Sequence, residues 1–152
     1  RLVGSEMCIR DSHIAGSEID GRTIARDLSL ESLLSEKKDF VGKRSLNRKA
    51  FTDNNREKIV GLVPIDKKTN IPEGSHLVLD KNASLPNPKL GHVSASCWSV
   101  EYNNPFSLAI VKNGHNKLGE KLYAVSPLKN IAVEVEVVSQ HYVDPEGKRV
   151  RS

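Results

Sequence analysis

The sequence predicts an α+β chain, mainly β, in which short helices come first and a small antiparallel barrel or sandwich follows. Three observations carry this. The stretch from Leu90 to Lys112 holds the only tryptophan and reads as two long strands around a corner at Asn103, Asn104 and Pro105. Around it, about six short apolar segments recur at regular spacing, separated by Gly, Pro and Asn signals. Before Asp53 the strand pattern gives way to charged, leucine-bearing segments with helical spacing.

The first segment, Arg1 to Ser12, fits nothing that follows. It lacks the sustained apolar core of a signal peptide and resembles the translated read-through of a sequencing adaptor. We expect residues 1–12 to be such an artefact, and the natural chain to begin well before His13, making the rest a fragment. Cys8 then falls away and Cys97 is the one genuine cysteine.

From His13 onward the reading is a strand end, a turn at Gly16 to Gly21, and a helix from Arg26 with Leu28, Leu30, Leu33 and Leu34 as one apolar stripe. Asp39 is an N-cap for a second helix. That helix turns Phe40, Val41, Leu46 and Ala50 inward and Lys43, Arg44, Arg48 and Lys49 outward. After Asp53 come strands at Lys58 to Pro64, His76 to Leu79, Leu122 to Val125 and Ala132 to Ser139, besides the central pair. In the last of these Val133, Val135 and Val137 face one side while Glu134, Glu136 and Val138 face the other, a half-buried pattern. Asp144 to Gly147 is a turn, and Lys148 to Arg151 a basic end.

Composition narrows function more than it defines it. The chain has 152 residues, 38% hydrophobic and 28% charged, as in an ordinary globular protein. No apolar run reaches the ~20 residues of a membrane helix, so no membrane partner is expected. The net charge of +4 permits an anionic partner. However, the basic residues are interleaved with acids and aromatics are few, which argues against a nucleic-acid surface. The five histidines and two cysteines show no metal-ligand spacing, so no metal is expected. Cys97 reads as a strand residue without redox function, and Trp98 as barrel core or domain interface.

Six segments, in this order, also carry a likeness: Asp39 to Leu46, Ile59 to Leu62, Pro72 to Gly74, Gly91 to Ser96, Gly119 to Leu122 and Asp144 to Gly147. Together they resemble the C-terminal end of the alpha subunits of heterotetrameric sarcosine oxidases. More broadly, they resemble the folate-dependent aminomethyltransferase (glycine cleavage T-protein) family, over essentially all of His13 to Ser152. The resemblance implies that residues 13–53 are the remnant of a folate-binding domain and residues 54–152 a C-terminal β-barrel. It implies oxidation of sarcosine to glycine, hydrogen peroxide release, and capture of the one-carbon unit by tetrahydrofolate in the full-length protein. Flavin and NAD would serve the complete complex without being bound by this portion. Partners would be the upstream domains of the same subunit and the beta, gamma and delta subunits, in the cytoplasm.

By the same resemblance no residue here is catalytic, because the acidic residue tied to folate chemistry lies upstream. Asp20 is a candidate for lining the folate cavity. Arg149, beside Lys148, is a candidate for meeting the glutamyl carboxylates of folate, since a guanidinium pairs with a carboxylate bidentately. The chain departs from the family in two places. Where the family has Thr-Pro and then Ala-Gly-Leu-Gly-Trp, it has Ile24-Ala25 and Leu28 to Ser32. Where the family reads Ser-Pro-Thr-Leu, it has Ser99 to Tyr102. Glycine permits close backbone approach, so losing both glycines changes the wall expected next to folate. The alternative is a barrel that only packs against neighbours, in a relative that no longer binds folate.

Overall fold

The computed structural model describes residues 16, 18–81, 88–142, 144 and 148. The chain divides into two compact units, 1–53 and 54–152.

The described part of the first unit is built from turns rather than from the two helices that the leucine and lysine spacing predicts. Near Arg26 a single turn forms and stops. Leu30 N–H donates back to Ala25 C=O at 2.9 Å and Ser29 N–H to Arg26 C=O at 3.4 Å, with Ser29 at φ 55°. This is a Schellman closure, which ends a helix through one left-handed residue. Asp27 assists, because its carboxylate accepts the Ile24 N–H at 3.0 Å and competes with helical continuation. The leucine stripe therefore does not form: Leu28 is buried but Leu33 is 74% exposed. A short 3-10 helix, Glu31–Leu33, follows.

Asp39 does not cap the second helix. Gly42, at φ 93°, precedes a 3-10 helix over Lys43–Asn47, and Arg48 is extended before a one-turn α-helix, α1, over Lys49–Thr52. An extended residue between two helical turns cannot continue the ladder of amide bonds, so one long helix becomes two short pieces. Val41, expected inward, is fully exposed.

The second unit is a closed antiparallel barrel of six strands: β1 (Glu57–Pro64), β2 (His76–Val78), β3 (Gly91–Ser99), β4 (Asn104–Lys112), β5 (Lys121–Ser126) and β6 (Ile131–Val138). The order around the barrel is β1, β4, β3, β2, β5, β6, and β6 returns to β1 through Gly61 opposite Val138 and Leu62 opposite Val137. Period-two alternation puts Val60, Leu62, Val93, Ala109, Val111, Leu122, Ala124, Val133, Val135 and Val137 inside. Ile71, from the loop after β1, plugs the same core. Asn70 beside it accepts the Ser96 hydroxyl at 2.8 Å, and Ser96 bonds buried Ser107 at 2.9 Å, which ties that loop to the hairpin.

Two features of the hairpin differ from the sequence reading. The corner is the four residues Val100 to Asn103, with Asn103 at φ 49°, while Pro105 lies within β4 opposite Trp98. Proline is tolerated there because the register of β4 with β1 stops at Ser107, so a bond to β1 is not broken. A bulge between Val93 and Ala95 also switches which side chains face inward: Val93 is core, whereas beyond the bulge Ser96 pairs with inward Ser107. β3 then runs past the barrel, leaving Cys97 exposed and Trp98 51% exposed. Trp98 is therefore not barrel core.

Two glycines are required by close packing. A Cβ on Gly91 would stand 2.0 Å from the Ile110 carbonyl oxygen, so β3 and β4 approach only because it has none. On the outer face, Gly61 lies beneath the Phe106 ring, whose carbons would be 2.8 Å from a Cβ.

Candidate functional site

The acidic turn, where the sequence places its folate-lining candidate, is closed upon itself. Asp20 accepts the Arg22 Nε–H at 2.9 Å, an Arg22 Nη2–H at 2.7 Å and the Arg22 backbone N–H at 2.8 Å. The Thr23 hydroxyl, 3.1 Å away, closes the ring, and Asp20 N–H donates to Thr23 Oγ1 at 3.0 Å. Asp and Thr side chains bonding their own backbone are what makes this a turn. The Arg22 guanidinium, with the Arg22 N–H, lowers the Asp20 carboxyl from 3.8 to about 2. Asp20 is thus a permanently ionised, exposed carboxylate whose main partner is two residues away. The acid that the turn buries is Glu18, only 5% exposed. Asp27, 4% exposed, is a second buried acid that the sequence reading did not single out. Its only signal there was its position three residues after Ile24, the spacing of an Asp that caps its own turn.

Arg149 lies outside the described residues. Of its neighbours, Asp144 accepts the Lys148 N–H at 2.9 Å.

On the barrel, a shallow cleft of about 500 Å³ is lined by Ile65, Asp66, Thr69 and residues 130–134. Asp66 accepts the Thr69 hydroxyl and the N–H groups of Lys68 and Thr69, both at 3.0 Å. The Thr69 hydroxyl first, then the two amides, hold its carboxyl below the usual range. Glu134, across the cleft, is 3.7 Å from Lys121 Nζ. The cleft is therefore acidic, and Asp66 is engaged in shaping the loop. Among the described residues, no group of three His, Cys, Asp or Glu side chains could hold a metal ion.

The third surface is the hairpin tip. Tyr142 stacks on Phe106 with centroids 5.0 Å apart and tilts against Tyr102 at 4.7 Å. Asn104 Nδ2 donates to the Tyr142 hydroxyl at 3.4 Å, and the Tyr102 hydroxyl to the Tyr142 carbonyl at 3.4 Å. Trp98, Val100 and Tyr102 are exposed around this cluster.

The barrel interior is filled by aliphatic side chains that are almost wholly buried. What the fold defines is a closed six-stranded antiparallel barrel domain with an aliphatic core and outward-facing surfaces.

Residues 57–144 match the glycine cleavage T-protein C-terminal barrel domain, and the chain belongs to that family. Among curated proteins it is similar to sarcosine oxidase subunit alpha of Rhizobium meliloti (strain 1021), 31% identical over 147 residues. That alignment spans 96% of this chain and 15% of the relative. It is also similar to sarcosine oxidase subunit alpha of Corynebacterium sp. (strain U-96), 36% identical over 90% of this chain and 14% of the relative. The chain thus spans about one-seventh of the length of these relatives. Among solved structures, that of glycine cleavage system aminomethyltransferase T from Bartonella henselae shares the fold. Its TM-score is 0.62 at 18% identity, over 85% of this chain and 34% of that one. The likeness to the sarcosine oxidase and aminomethyltransferase families expected from the six segments is borne out. Among the described residues no helix is long and apolar enough to cross a membrane.

Proposed function

We propose that this chain is the C-terminal, barrel-bearing portion of a sarcosine oxidase alpha subunit. The observation that carries the reading is the extent of the likeness: 31 to 36% identity over 90 to 96% of the chain, a stretch that runs across both compact units. On this reading residues 13–53 are the end of a folate-binding domain, and residues 54–152 are a C-terminal β-barrel domain of aminomethyltransferase type. The complete enzyme oxidises sarcosine to glycine, passes the one-carbon unit to tetrahydrofolate and releases hydrogen peroxide. Tetrahydrofolate, flavin and NAD are held by the larger assembly, with the beta, gamma and delta subunits as partners in the cytoplasm. Asp20 and Arg149 remain the candidates for reaching folate. Because Asp20 is turned into its own Arg22 pair, its contribution is to shape the turn more than to bind.

The test is a hybrid. Residues 13–152 replace the matching segment of a sarcosine oxidase alpha relative, co-expressed with the other subunits. The expected result is sarcosine-dependent peroxide release together with methylene-tetrahydrofolate formation. A hybrid that does not assemble with the other subunits would sink the proposal. The isolated chain should show no turnover, and sarcosine oxidation by it alone would contradict the reading.

A second reading is favoured by the filled barrel and by the exposed Trp98, Val100 and Tyr102. In it the barrel is a non-catalytic interaction module of a divergent aminomethyltransferase-like protein. The hybrid separates the two: oxidation retained with folate capture lost would favour the second.

A further inference from the structure

Two histidines far apart in sequence meet on the outside of the barrel. His76 of β2 stands directly opposite His92 of β3, with Leu77 opposite Gly91 as the next pair. One step the other way, the Val93 N–H donates to the Ser75 carbonyl at 2.9 Å. Hydrogen-bonded and non-hydrogen-bonded pairs alternate along an antiparallel ladder. His76 and His92 are therefore a non-hydrogen-bonded pair, the kind that holds its side chains closer, with Cβ atoms roughly 4.5–5.5 Å apart. Leu77 and Val93 belong to the core, so the intervening His76 and His92 face outward. His76 is exposed and His92 half-buried.

The surroundings suit a nitrogen-ligated ion. Neither ring takes part in a hydrogen bond or ion pair among the described residues. Their cross-strand neighbours in the same row are Val125 beside His76 and Ile110 beside His92. Two residues along either strand stand Gly74, Val78, Leu90 and Ser94, all uncharged. The pair thus has no cation directly opposite it or along its own strands, while Lys112 of β4 stands diagonal to His92, two residues beyond Ile110. Nor does it have a carboxylate there to make it an oxygen site. Neutral imidazoles on a rigid ladder bind borderline metals and not hard ones.

We infer that His76 and His92 together form a two-histidine chelating site for a divalent transition-metal ion of the Zn²⁺, Ni²⁺ or Cu²⁺ kind. With two protein ligands, the remaining coordination positions go to water or to a donor from another molecule. Because both rings sit on strands of a closed barrel, the second nitrogen binds as an intramolecular step. The pair should then exceed a single histidine by on the order of 10²-fold.

The experiment is calorimetric titration of the untagged 152-residue chain with Ni²⁺, Zn²⁺ and Mg²⁺. Ni²⁺ and Zn²⁺ should bind one per chain and Mg²⁺ not at all. His76→Asn and His92→Asn should each weaken binding by on the order of 10²-fold, with the circular dichroism of the barrel unchanged. His115→Asn and His141→Asn should leave it as it was. Should a variant misfold, NMR of the unaltered chain decides instead: on adding Zn²⁺ the ring signals of His76 and His92 must shift together. Binding that survives both substitutions, or ring signals of the pair that stay still, would overturn the site. So would the absence of any Ni²⁺ or Zn²⁺ binding.

Discussion

The two units of this chain spend their hydrogen bonds and apolar surface in opposite ways. In the barrel, each strand pairs on both sides, and the aliphatic side chains of alternate positions form one continuous core. In the first unit the described hydrogen bonds are short-range turns, and the buried residues are one leucine, Leu28, and two acids, Glu18 and Asp27. Among the described residues of that unit, a handful of turns with one buried leucine supplies little apolar burial against backbone entropy. The barrel has what an independent fold requires. Among its described residues the first unit shows local turns around one buried leucine.

The sharpest way to break the barrel side of this contrast is at Gly91. Gly91→Val would drive a side chain into the β4 backbone, and we expect a loss of about 4 kcal/mol or more in urea denaturation, or failure to fold. Leu62→Ala, emptying a fully buried site, should cost about 2–5 kcal/mol. In the first unit, Leu33→Ala should change stability by less than about 0.5 kcal/mol, because the side chain is exposed. Hydrogen exchange sharpens the comparison without substitutions: amides of β1, β4 and β6 should be protected well beyond those of residues 18–53. Equal protection in both units would contradict it.

The smallest effect concerns pH. The folded Asp20 carboxyl, at about 2, lies below its ordinary 3.8. Its share of stability is therefore complete above the unfolded value and disappears as pH falls from about 4 to about 2. The effect is slight for so exposed a pair. NMR titration should place its midpoint near 2, and Arg22→Gln should move it upward. An unmoved midpoint would show that the guanidinium is not the cause.

The strands were legible because their information is local. Val133, Val135 and Val137 alternate with Glu134 and Glu136, and a period of two has one structural meaning. The first unit was misread because leucine spacing says nothing about side chains that compete with the helix. Asp27 bonding Ile24 and Ser29 turning left-handed are decided by single residues that a periodic pattern overlooks. The place of Trp98 was lost because it lies at the far end of β3, whereas β2 pairs with β3 only at Gly91 and His92. The bulge after Val93 adds one residue to β3, and no turn residue announces it. As for sites, the Asp20 turn was visible, but its closure by Arg22 was not weighed. The His76 and His92 pair could not be read at all, since only the closed strand order sets the two opposite each other.

Closure of β1 on β6 also carries a consequence for how the chain is made. β1 is synthesised first, yet its Gly61 and Leu62 gain their last partners only when Val137 and Val138 arrive. During translation the barrel therefore waits, with its most buried strand unpaired on one side, until nearly the whole unit has left the ribosome. Any pause before β6 lengthens that exposure. A nascent chain stalled at Asn130 would present an open edge to chaperones, or to other nascent chains, that the finished barrel does not have.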